Sequence, residues 1–361
     1  MKRMEDGAAD AYLKVRDLRK VYQIRRGLFG RARPLQAVAG VSFDVPAGTT
    51  FGLVGESGSG KTTIAKMLML AEPPTSGSIE VDGQNLDGLT NAERDRFHLA
   101  LQPVLQDPYS SLNPRMRIGH IIDEPLRIHR TVRGDALSRR VRELLELVGL
   151  PGDAGRRFPH ELSGGQRQRV SIARALGLGP RCMILDEPVS ALDVSIQAQI
   201  LNLLKDLQGR LDLTYLLISH DLAVVAYMSQ RIGVLYLGEF MEIADTAEIV
   251  GNPRHPYTRA LIASVDARSG QRDEQTPVSG EIPSPMNLPS GCHFHTRCPH
   301  AVERCKVEKP LLRPLSPTHW VACHFAETFA PQPGARFASP AAVPAATSPP
   351  ASQPASFKET T

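Results

Sequence analysis

The chain has 361 residues, of which 42% are hydrophobic and 22% are charged, and its formal net charge is +4. These values predict a globular protein with one large core and a smaller additional unit, and so mild a charge gives no reason to expect a nucleic-acid partner. No apolar run approaches the ~20 residues that a membrane helix needs, and no signal-peptide core follows the charged start, so we expect a cytosolic protein or one held at a membrane by other subunits.

The first elements are expected to be two paired strands. We expect residues 1–10 to be a disordered N-terminus. Alternating apolar residues from Tyr12 to Val21 predict an edge strand, and Val38 to Val45 predicts a second strand paired with it. The basic loop at 25–33 between them is typical either of a solvent-exposed hairpin tip or of a contact with a partner or the membrane surface.

A glycine-rich loop then separates the apolar run Thr50 to Val54 from the helical pattern Thr63 to Leu70, and it matches G-x-x-x-x-G-K-[ST] without a gap. Its glycines let successive N–H groups point into one concavity at a helix N-terminus, which favours a triphosphate. We expect Lys61 on the β- and γ-phosphates and the Thr62 hydroxyl on Mg²⁺. The residues expected to contact the nucleotide are Gly55, Glu56, Ser57, Gly58, Ser59, Gly60, Lys61, Thr62 and Thr63. A chance Gly/Ser turn before a lysine is the alternative, at roughly one in a hundred from average residue frequencies.

The next part of the chain changes from strand to helix. The strand signal from Leu99 to Leu105 stops at the turn formers Gln106 to Pro114, and Arg115 to Leu150 has helical spacing, which predicts a helical insert. Beyond it, Ser163-Gly164-Gly165 opens another helix. Exposed N–H groups and the helix dipole would make a second anion site there, although as a helix cap alone the motif would be ordinary.

Two buried strands then end in polar residues. Cys182 to Leu185 leads into Asp186 and Glu187, and Tyr215 to Ile218 leads into His220. Residues that follow parallel strands lie at the carboxyl edge of the sheet, where nucleotides bind. We expect Asp186 to hold Mg²⁺ through water, Glu187 to polarise the attacking water and His220 to contact the γ-phosphate. The alternatives are two acids that cap the next helix and an ordinary surface histidine.

Together these residues resemble a known family. Six motifs occur in the order and spacing of ABC-transporter ATPase subunits, namely Gly55 to Thr62, the segment around Gln106, Leu162 to Gln166, Leu185 to Pro188, Ser190 to Asp193 and Ser219 to Asp221. The stretches Gln106 to Pro114, Asp186 to Ile200 and His255 to Thr258 further resemble the ATPases of dipeptide/oligopeptide importers. Pro188 to Gln197 resembles the F-type subunit of the two ATPase partners in such importers.

The resemblance implies an α/β P-loop NTPase fold with a mixed-sheet core, an antiparallel β subdomain, an α-helical subdomain and a small Cys-rich C-terminal extension. We expect the ATPase domain over 11–250, with its helical subdomain at about 107–175, and the extension over 251–325. The implied activity is ATP hydrolysis coupled to transmembrane transport of peptides, at the cytoplasmic face of the cell membrane. Nickel, glutathione or a sugar are alternative cargoes. A soluble ABC ATPase of DNA repair or translation is a further alternative, which the single phosphate loop and the lack of a heptad run disfavour.

The resemblance also implies partners: a second, non-identical ABC ATPase subunit, two membrane permease subunits and, indirectly, a peptide-binding protein. In this family two nucleotide-binding domains pair head to tail. The residues then expected on the partner's nucleotide are Ser163, Gly164, Gly165 and Gln166. Asp193 would cross the dimer, Gln106 would contact water and Mg²⁺, and His220 would brace the γ-phosphate. Tyr22 would stack on adenine, with a strand-end core aromatic as the alternative.

The C-terminal part contains a cluster of cysteines, Cys292, Cys298, Cys305 and Cys323, separated by 5, 6 and 17 residues. This spacing is wider than in most structural zinc sites, and four-Cys ligation with a proline after one ligand suits an iron–sulfur cluster better. The peptide-importer ATPases that the chain resembles carry a [4Fe–4S] cluster in this region. Zinc is the second alternative and free buried thiols the third. We expect the Pro-, Ala- and Ser-rich residues 326–361 to be a disordered tail.

Overall fold

The structure, a computed structural model, describes residues 11–25, 32–268 and 280–329. Within these ranges the chain forms two β-sheets and a group of helices, which confirms the predicted α/β fold. The predicted disordered N-terminus at 1–10, most of the basic loop at 25–33 and residues 330–361 of the disordered tail predicted at 326–361 lie outside the described residues. Among the described residues, no helix is both long enough and apolar enough to cross a bilayer.

The smaller sheet is antiparallel. Its four strands are β1 (Ala11–Arg25), β2 (Ala32–Pro46), β4 (Ser76–Val81) and β5 (Gln84–Asn85). The predicted pairing of the first two segments is confirmed, with Leu13 opposite Val45 and Val15 opposite Phe43. All four side chains are buried, because alternate residues of a strand point to one face. The predicted edge position of the first segment is wrong, because β1 pairs with β2 on one side and with β4 on the other. The Phe43 ring stacks on Phe51 of the larger sheet at 4.8 Å between centroids, so the two sheets share one core.

The larger sheet is mixed. Its eight strands are β3 (Thr50–Val54), β6 (Leu101–Val104), β7 (Cys182–Asp186), β8 (Thr214–Ser219), β9 (Arg231–Tyr236), β10 (Glu239–Asp245), β11 (Arg313–Ser316) and β12 (His319–Val321). They lie in the order β11-β12-β10-β9-β3-β8-β7-β6. The neighbours β3, β8, β7 and β6 are parallel, so their carboxyl ends lie at the same edge of the sheet.

The helices connect and cover these strands. They are α1 (Lys61–Leu68), α2 (Asn91–Ala100), α3 (Pro108–Ser111), α4 (Ile118–Ile128), α5 (Asp135–Leu147), α6 (Gly164–Leu176), α7 (Val194–Leu211), α8 (Leu222–Met228), α9 (Thr246–Gly251), α10 (Pro256–Arg268) and α11 (Glu303–Val307). The helical insert predicted over Arg115 to Leu150 is confirmed, since α4 and α5 lie within it. Helix α5 turns Val141, Leu144 and Leu145 into the core, as its 3.6-residue spacing predicts.

The C-terminal extension continues the larger sheet. Strand β12 pairs with β10, with Val321 opposite Glu242. Glu242 is fully buried and accepts hydrogen bonds from the backbone N–H groups of Arg254 and His255, and it also pairs with His319. The extension therefore joins the preceding core through a sheet and a buried carboxylate. The described chain continues past the predicted end of the extension, through a short 3₁₀ helix at Ala326–Thr328.

Candidate active site

The phosphate loop, Gly55 to Thr62, connects the end of β3 to the start of α1. A β-carbon at Gly55 would lie 2.1 Å from the carbonyl oxygen of Leu235, so only glycine fits there. Gly60 caps α1 with a φ of 106°, a left-handed value that glycine adopts without strain. Because α1 begins directly at the loop, its unpaired first-turn N–H groups and positive dipole end favour an anion at this position.

Lys61 lies folded against the inside of this loop. Its Nζ donates to the carbonyl oxygens of Gly55 and Glu56 at 2.7 and 2.9 Å. Burial lowers the pKa of Lys61, while the nearby carboxylates of Glu187 and Asp186 act in the opposite direction. The loop thus holds a buried cation where the predicted triphosphate would lie.

The predicted catalytic residues meet at three neighbouring strand ends. Gln106 follows β6, Glu187 follows β7 and His220 follows β8. The Gln106 side-chain amide donates to one carboxylate oxygen of Glu187 at 2.8 Å, and His220 Nδ1 lies 3.1 Å from the other oxygen. Glu187 has a φ of 48°, an uncommon value for a residue with a side chain. Both oxygens of the carboxylate are therefore held in one orientation at the carboxyl edge of the sheet.

Asp186, the last residue of β7, is buried beside Glu187. Burial and then the neighbouring Glu187 raise the pKa of Asp186, while Lys61 and Lys66 lower it. A divalent cation would relieve the repulsion between the two carboxylates. The oxygen donors of Asp186, Gln106 and Thr62 fit Mg²⁺ in kind, since this ion prefers carboxylate, amide and hydroxyl oxygens.

The second predicted anion site lies at the start of α6. Ser163 caps this helix by accepting a hydrogen bond from the Gln166 N–H at 3.3 Å, and the Gln166 side chain accepts one from the Ser163 N–H at 3.0 Å. Ser163 is exposed. In the described part of the chain, no hydrogen bond joins Ser163 to the phosphate loop. The structure therefore does not connect this motif to the chain's own loop.

Tyr22 lies in β1 close to the start of α1. Its hydroxyl donates to Glu72, and the Lys20 ammonium lies 5.1 Å from the centre of its ring. Burial, followed by the bond to Glu72, raises the pKa of Tyr22, and a hydrogen bond with Thr63 lowers it. The contact with Thr63 brings Tyr22 next to the phosphate loop, and its ring is only partly buried.

Two residues of the C-terminal extension contact the phosphate loop, and neither was predicted to do so. Both terminal nitrogens of Arg297 donate to the Glu56 carboxylate, at 2.6 and 2.9 Å. The Tyr257 hydroxyl accepts a hydrogen bond from the Glu56 N–H at 2.9 Å. The sequence carried only an indirect signal, because Tyr257 lies in the His255 to Thr258 stretch of the resemblance and Arg297 precedes Cys298.

The four clustered cysteines line one small cavity of about 20 Å³. Burial raises the pKa of Cys298 to about 11 and that of Cys323 to about 12, and the neighbouring cysteines add to both effects. Four converging thiols fit a thiolate-bound metal in kind. Within the described ranges, however, no three His, Cys, Asp or Glu side chains are arranged to hold a metal ion, so this geometry does not support the predicted iron–sulfur ligation. The cavity is little larger than the ~10–15 Å³ that one water needs.

Comparisons with known protein families match two parts of the chain. Residues 38–190 match the family described as ABC transporter. Residues 241–305 match the family described as oligopeptide/dipeptide transporter, C-terminal region. The first match contains the phosphate loop and the two acids Asp186 and Glu187 at the end of β7, and the second contains Arg297 and three of the clustered cysteines.

Individual proteins are similar over most of the chain. The oligopeptide transport ATP-binding protein AppF of Bacillus subtilis (strain 168) is 48% identical over 320 residues, which cover 87% of this chain and 97% of that protein. The di/tripeptide transport ATP-binding protein DppF of Pseudomonas aeruginosa (strain UCBPP-PA14) is 44% identical over 321 residues, which cover 89% and 99%. A solved dimeric structure of the ATP-binding cassette MJ0796, in a post-hydrolysis state bound to ADP and Pi, is 27% identical with a TM-score of 0.58 and covers 65% of this chain and 98% of that one.

Proposed function

The chain belongs to the ATP-binding subunits of oligopeptide and dipeptide ABC transporters, and we propose that it hydrolyses ATP to ADP and phosphate to power peptide import through a membrane complex. The observation that carries this function is the meeting of four parallel strand ends. They bring together the phosphate loop with its buried lysine, Lys61, and two carboxylates. The Asp186 carboxylate lies near Lys61, and each oxygen of the Glu187 carboxylate contacts a neighbouring side chain.

Glu187 is the group that polarises the attacking water. Its carboxylate can accept a proton from a water molecule only if it stays ionised and oriented toward the γ-phosphate. Gln106 and His220 fix its orientation in this structure, through one contact to each oxygen. Once a water enters, the same two side chains would share it with Glu187, and His220 would contact the γ-phosphate.

Mg²⁺, when bound with ATP, offsets the negative charge of the β- and γ-phosphates. Thr62, Asp186 and Gln106 are the residues that would hold it, Asp186 through water. Lys61 would exchange its two backbone carbonyl acceptors for phosphate oxygens. Tyr22, partly exposed beside the first turn of α1, would stack on the adenine.

Ser163, Gly164, Gly165 and Gln166 act on the ATP of a second ATPase subunit. Two observations support this assignment: Ser163 is exposed at the start of α6, and its polar contacts stay within its own helix turn. Asp193, the exposed N-cap of α7, would cross to the partner. By the F-type resemblance the partner is a different ATPase chain, and the pair works at the cytoplasmic face of the membrane beneath two permeases that receive peptide from a binding protein.

For the four cysteines we propose a thiolate-bound metal centre, a [4Fe–4S] cluster before zinc. The support is their convergence on one cavity and their match to the family's C-terminal region. Purified protein should contain iron and sulfide and show visible absorbance that a Cys298→Ser variant loses. A colourless wild type that contains zinc, or no metal at all, would overturn the cluster.

The transport function is tested in proteoliposomes that contain the chain, its ATPase partner and the two permeases. We expect ATP-dependent uptake of a labelled tripeptide when the peptide-binding protein is present, and none when Lys61 is replaced by alanine. Uptake of nickel or glutathione without uptake of peptide would mean that the transported solute is not a peptide, although ATP hydrolysis still powers the import. ATP hydrolysis that no permease pair or solute affects would favour a soluble ATPase instead.

A further inference from the structure

Glu56 is bound from two sides by the C-terminal extension. Arg297 forms two parallel hydrogen bonds to its carboxylate, and the Tyr257 hydroxyl accepts from its backbone N–H. Parallel guanidinium–carboxylate bonds fix the direction of both groups as well as their distance. Side chain and backbone of one phosphate-loop residue are thus both attached to a segment of the chain that lies more than 200 positions away in the sequence.

The two residues that contact Glu56 are themselves rigidly packed. The Arg297 side chain is only 5% exposed, and its guanidinium lies about 6 Å from the ring centres of Tyr236 and Phe294. The Tyr257 ring is fully buried, 4.8 Å from Tyr236 and 5.3 Å from Phe294 between centroids. Buried aromatic packing leaves both groups little freedom, so they can hold Glu56 in one position.

Glu56 in turn connects to the phosphate-binding lysine. Its carbonyl oxygen accepts from Lys61 Nζ at 2.9 Å and from the Ser59 N–H at 3.2 Å. A shift of Glu56 would therefore move an acceptor of Lys61 and one turn of the loop. A continuous series of hydrogen bonds leads from Arg297 through Glu56 to Lys61.

We propose that Arg297 and Tyr257 are positioning residues of the nucleotide site, which hold the phosphate loop in its ATP-binding conformation through Glu56. The proposal rests on the proposed ATPase function and assigns part of the control of ATP affinity to the C-terminal extension. Without these two residues the free loop samples more conformations, and ATP binding must order it. The effect therefore falls on ATP affinity and leaves turnover at saturating ATP nearly unchanged.

The test compares Arg297→Lys and Arg297→Met with a matched control, Arg313→Met. Arg313 also belongs to the extension and also forms a two-bonded pair, with Glu327, but no hydrogen bond described for it reaches the phosphate loop. The full chain is titrated with a fluorescent Mg²⁺-bound ATP analogue. We expect both Arg297 variants to bind it about tenfold more weakly, as the loss of about 1.4 kcal/mol from a charge-assisted bond implies, and the Arg313 variant to bind like wild type.

Arg297→Lys separates positioning from charge. Lysine keeps the positive charge that compensates Glu56 but cannot form the two parallel bonds. If charge compensation alone mattered, the lysine variant would bind the analogue like wild type, and positioning would be refuted. Tyr257→Phe, which removes only the hydroxyl, should weaken binding by about threefold, the loss of one neutral hydrogen bond.

Hydrogen–deuterium exchange separates positioning from a general loss of stability. In the absence of nucleotide, the amides of residues 55–62 should exchange faster in both Arg297 variants than in wild type and in Arg313→Met. A lower unfolding temperature with unchanged exchange in this loop would mean that Arg297 only stabilises the fold, and it would overturn the proposal. If the wild type itself fails to bind the ATP analogue, the proposed ATPase function is refuted. If wild type and all variants bind it equally well, only the positioning role of Arg297 and Tyr257 is refuted.

Discussion

At the scale of single residues, the carboxylate of Glu187 is held on both oxygens. It sits one position beyond a fully buried strand, has a left-handed φ and contacts two side chains from neighbouring strand ends. Backbone strain of this kind is retained where the surrounding structure fixes it and often marks a catalytic position. The geometry therefore supports the same residue that the Asp-Glu pair after an apolar strand predicted.

Replacing Glu187 with glutamine should leave ATP binding nearly unchanged and reduce hydrolysis in the assembled complex by about 10²- to 10³-fold, because a general base contributes on that order. Nucleotide titration and single-turnover hydrolysis measure the two effects. Glu80→Gln, which changes a surface carboxylate paired with Lys14, serves as the control and should retain full turnover. Near-normal turnover by the Glu187 variant would assign the water-polarising role to another group.

Replacing Lys61 with alanine should weaken binding of Mg²⁺-ATP by roughly 100-fold, because two charge-assisted bonds to phosphate are lost. Isothermal titration measures the affinity directly. Lys66→Ala removes a more exposed lysine one turn later in α1 and should change the affinity far less. Equal losses in the two variants would mean that general positive charge, and not the position of Lys61 in the loop, attracts the nucleotide.

At the scale of elements, α6 and α2 begin with the same kind of cap. Ser163 with Gln166 and Thr90 with Glu93 each form a reciprocal pair of side-chain and backbone hydrogen bonds. Such a cap stabilises a helix wherever it occurs, so its presence does not identify an anion site. Loss of either cap should lower stability, but only loss of the cap on the helix that contributes to a partner's nucleotide site should also reduce ATP hydrolysis.

Ser163→Ala and Thr90→Ala should each lower the free energy of unfolding by about 1 kcal/mol, because each loses an N-cap. Denaturant unfolding of the full chain measures this loss. In the assembled complex, Ser163→Ala should in addition reduce ATP hydrolysis by about tenfold, since a donor to the partner's phosphate is removed, while binding of ATP to the isolated chain stays unchanged. Loss of ATP binding by the isolated variant would place Ser163 in its own chain's site.

At the scale of the whole molecule, the extension and the ATPase core share one sheet and one buried polar network. Strand β12 adds to β10, Glu242 binds the backbone at the start of α10, and Arg297 and Tyr257 contact the phosphate loop. The extension is therefore not an appended unit with its own separate core. Changes in its stability should affect the ATPase domain as well.

His255 makes the stability of the fold depend on pH. Its ring is fully buried, its Nδ1 accepts from the Tyr257 N–H, and burial lowers its pKa from 6.5 to about 3. The folded state therefore keeps the ring neutral. The contribution of His255 to the stability of the fold is fully present above pH 6.5 and is lost as the pH falls toward 3. At pH 5.5 the free energy of unfolding should be lower by about 1.4 kcal/mol on account of this one group.

Chemical denaturation at pH 7.5 and at pH 5.5 measures this difference. His255→Asn, whose side-chain oxygen can still accept from the Tyr257 N–H, should reduce the difference in the free energy of unfolding between the two pH values by about 1.4 kcal/mol. His160→Asn, a change at an exposed histidine, should leave the dependence as in wild type. Identical pH dependence in wild type and His255→Asn would show that other groups cause it.

Sequence patterns were enough to predict the fold class, the order of the strands and helices around the phosphate loop, and the residues at the ends of β3, β6, β7 and β8. These features follow from local rules. A phosphate loop needs glycines and a lysine at fixed spacing, and buried parallel strands are short apolar runs whose polar ends collect at one edge. The prediction was less complete for the cysteines, because sequence spacing does not fix the distances between sulfur atoms.

The contacts that hold the phosphate loop from outside could not be predicted from sequence patterns. The pairing of Glu56 with Arg297 joins residues 241 positions apart, and neither has a local pattern that points to the other. It exists because β12 pairs with β10 and the aromatic cluster of Tyr236, Tyr257 and Phe294 fixes the packing of the extension. Contacts of this kind depend on how distant segments pack, and periodicity and motif spacing report only on neighbours along the chain.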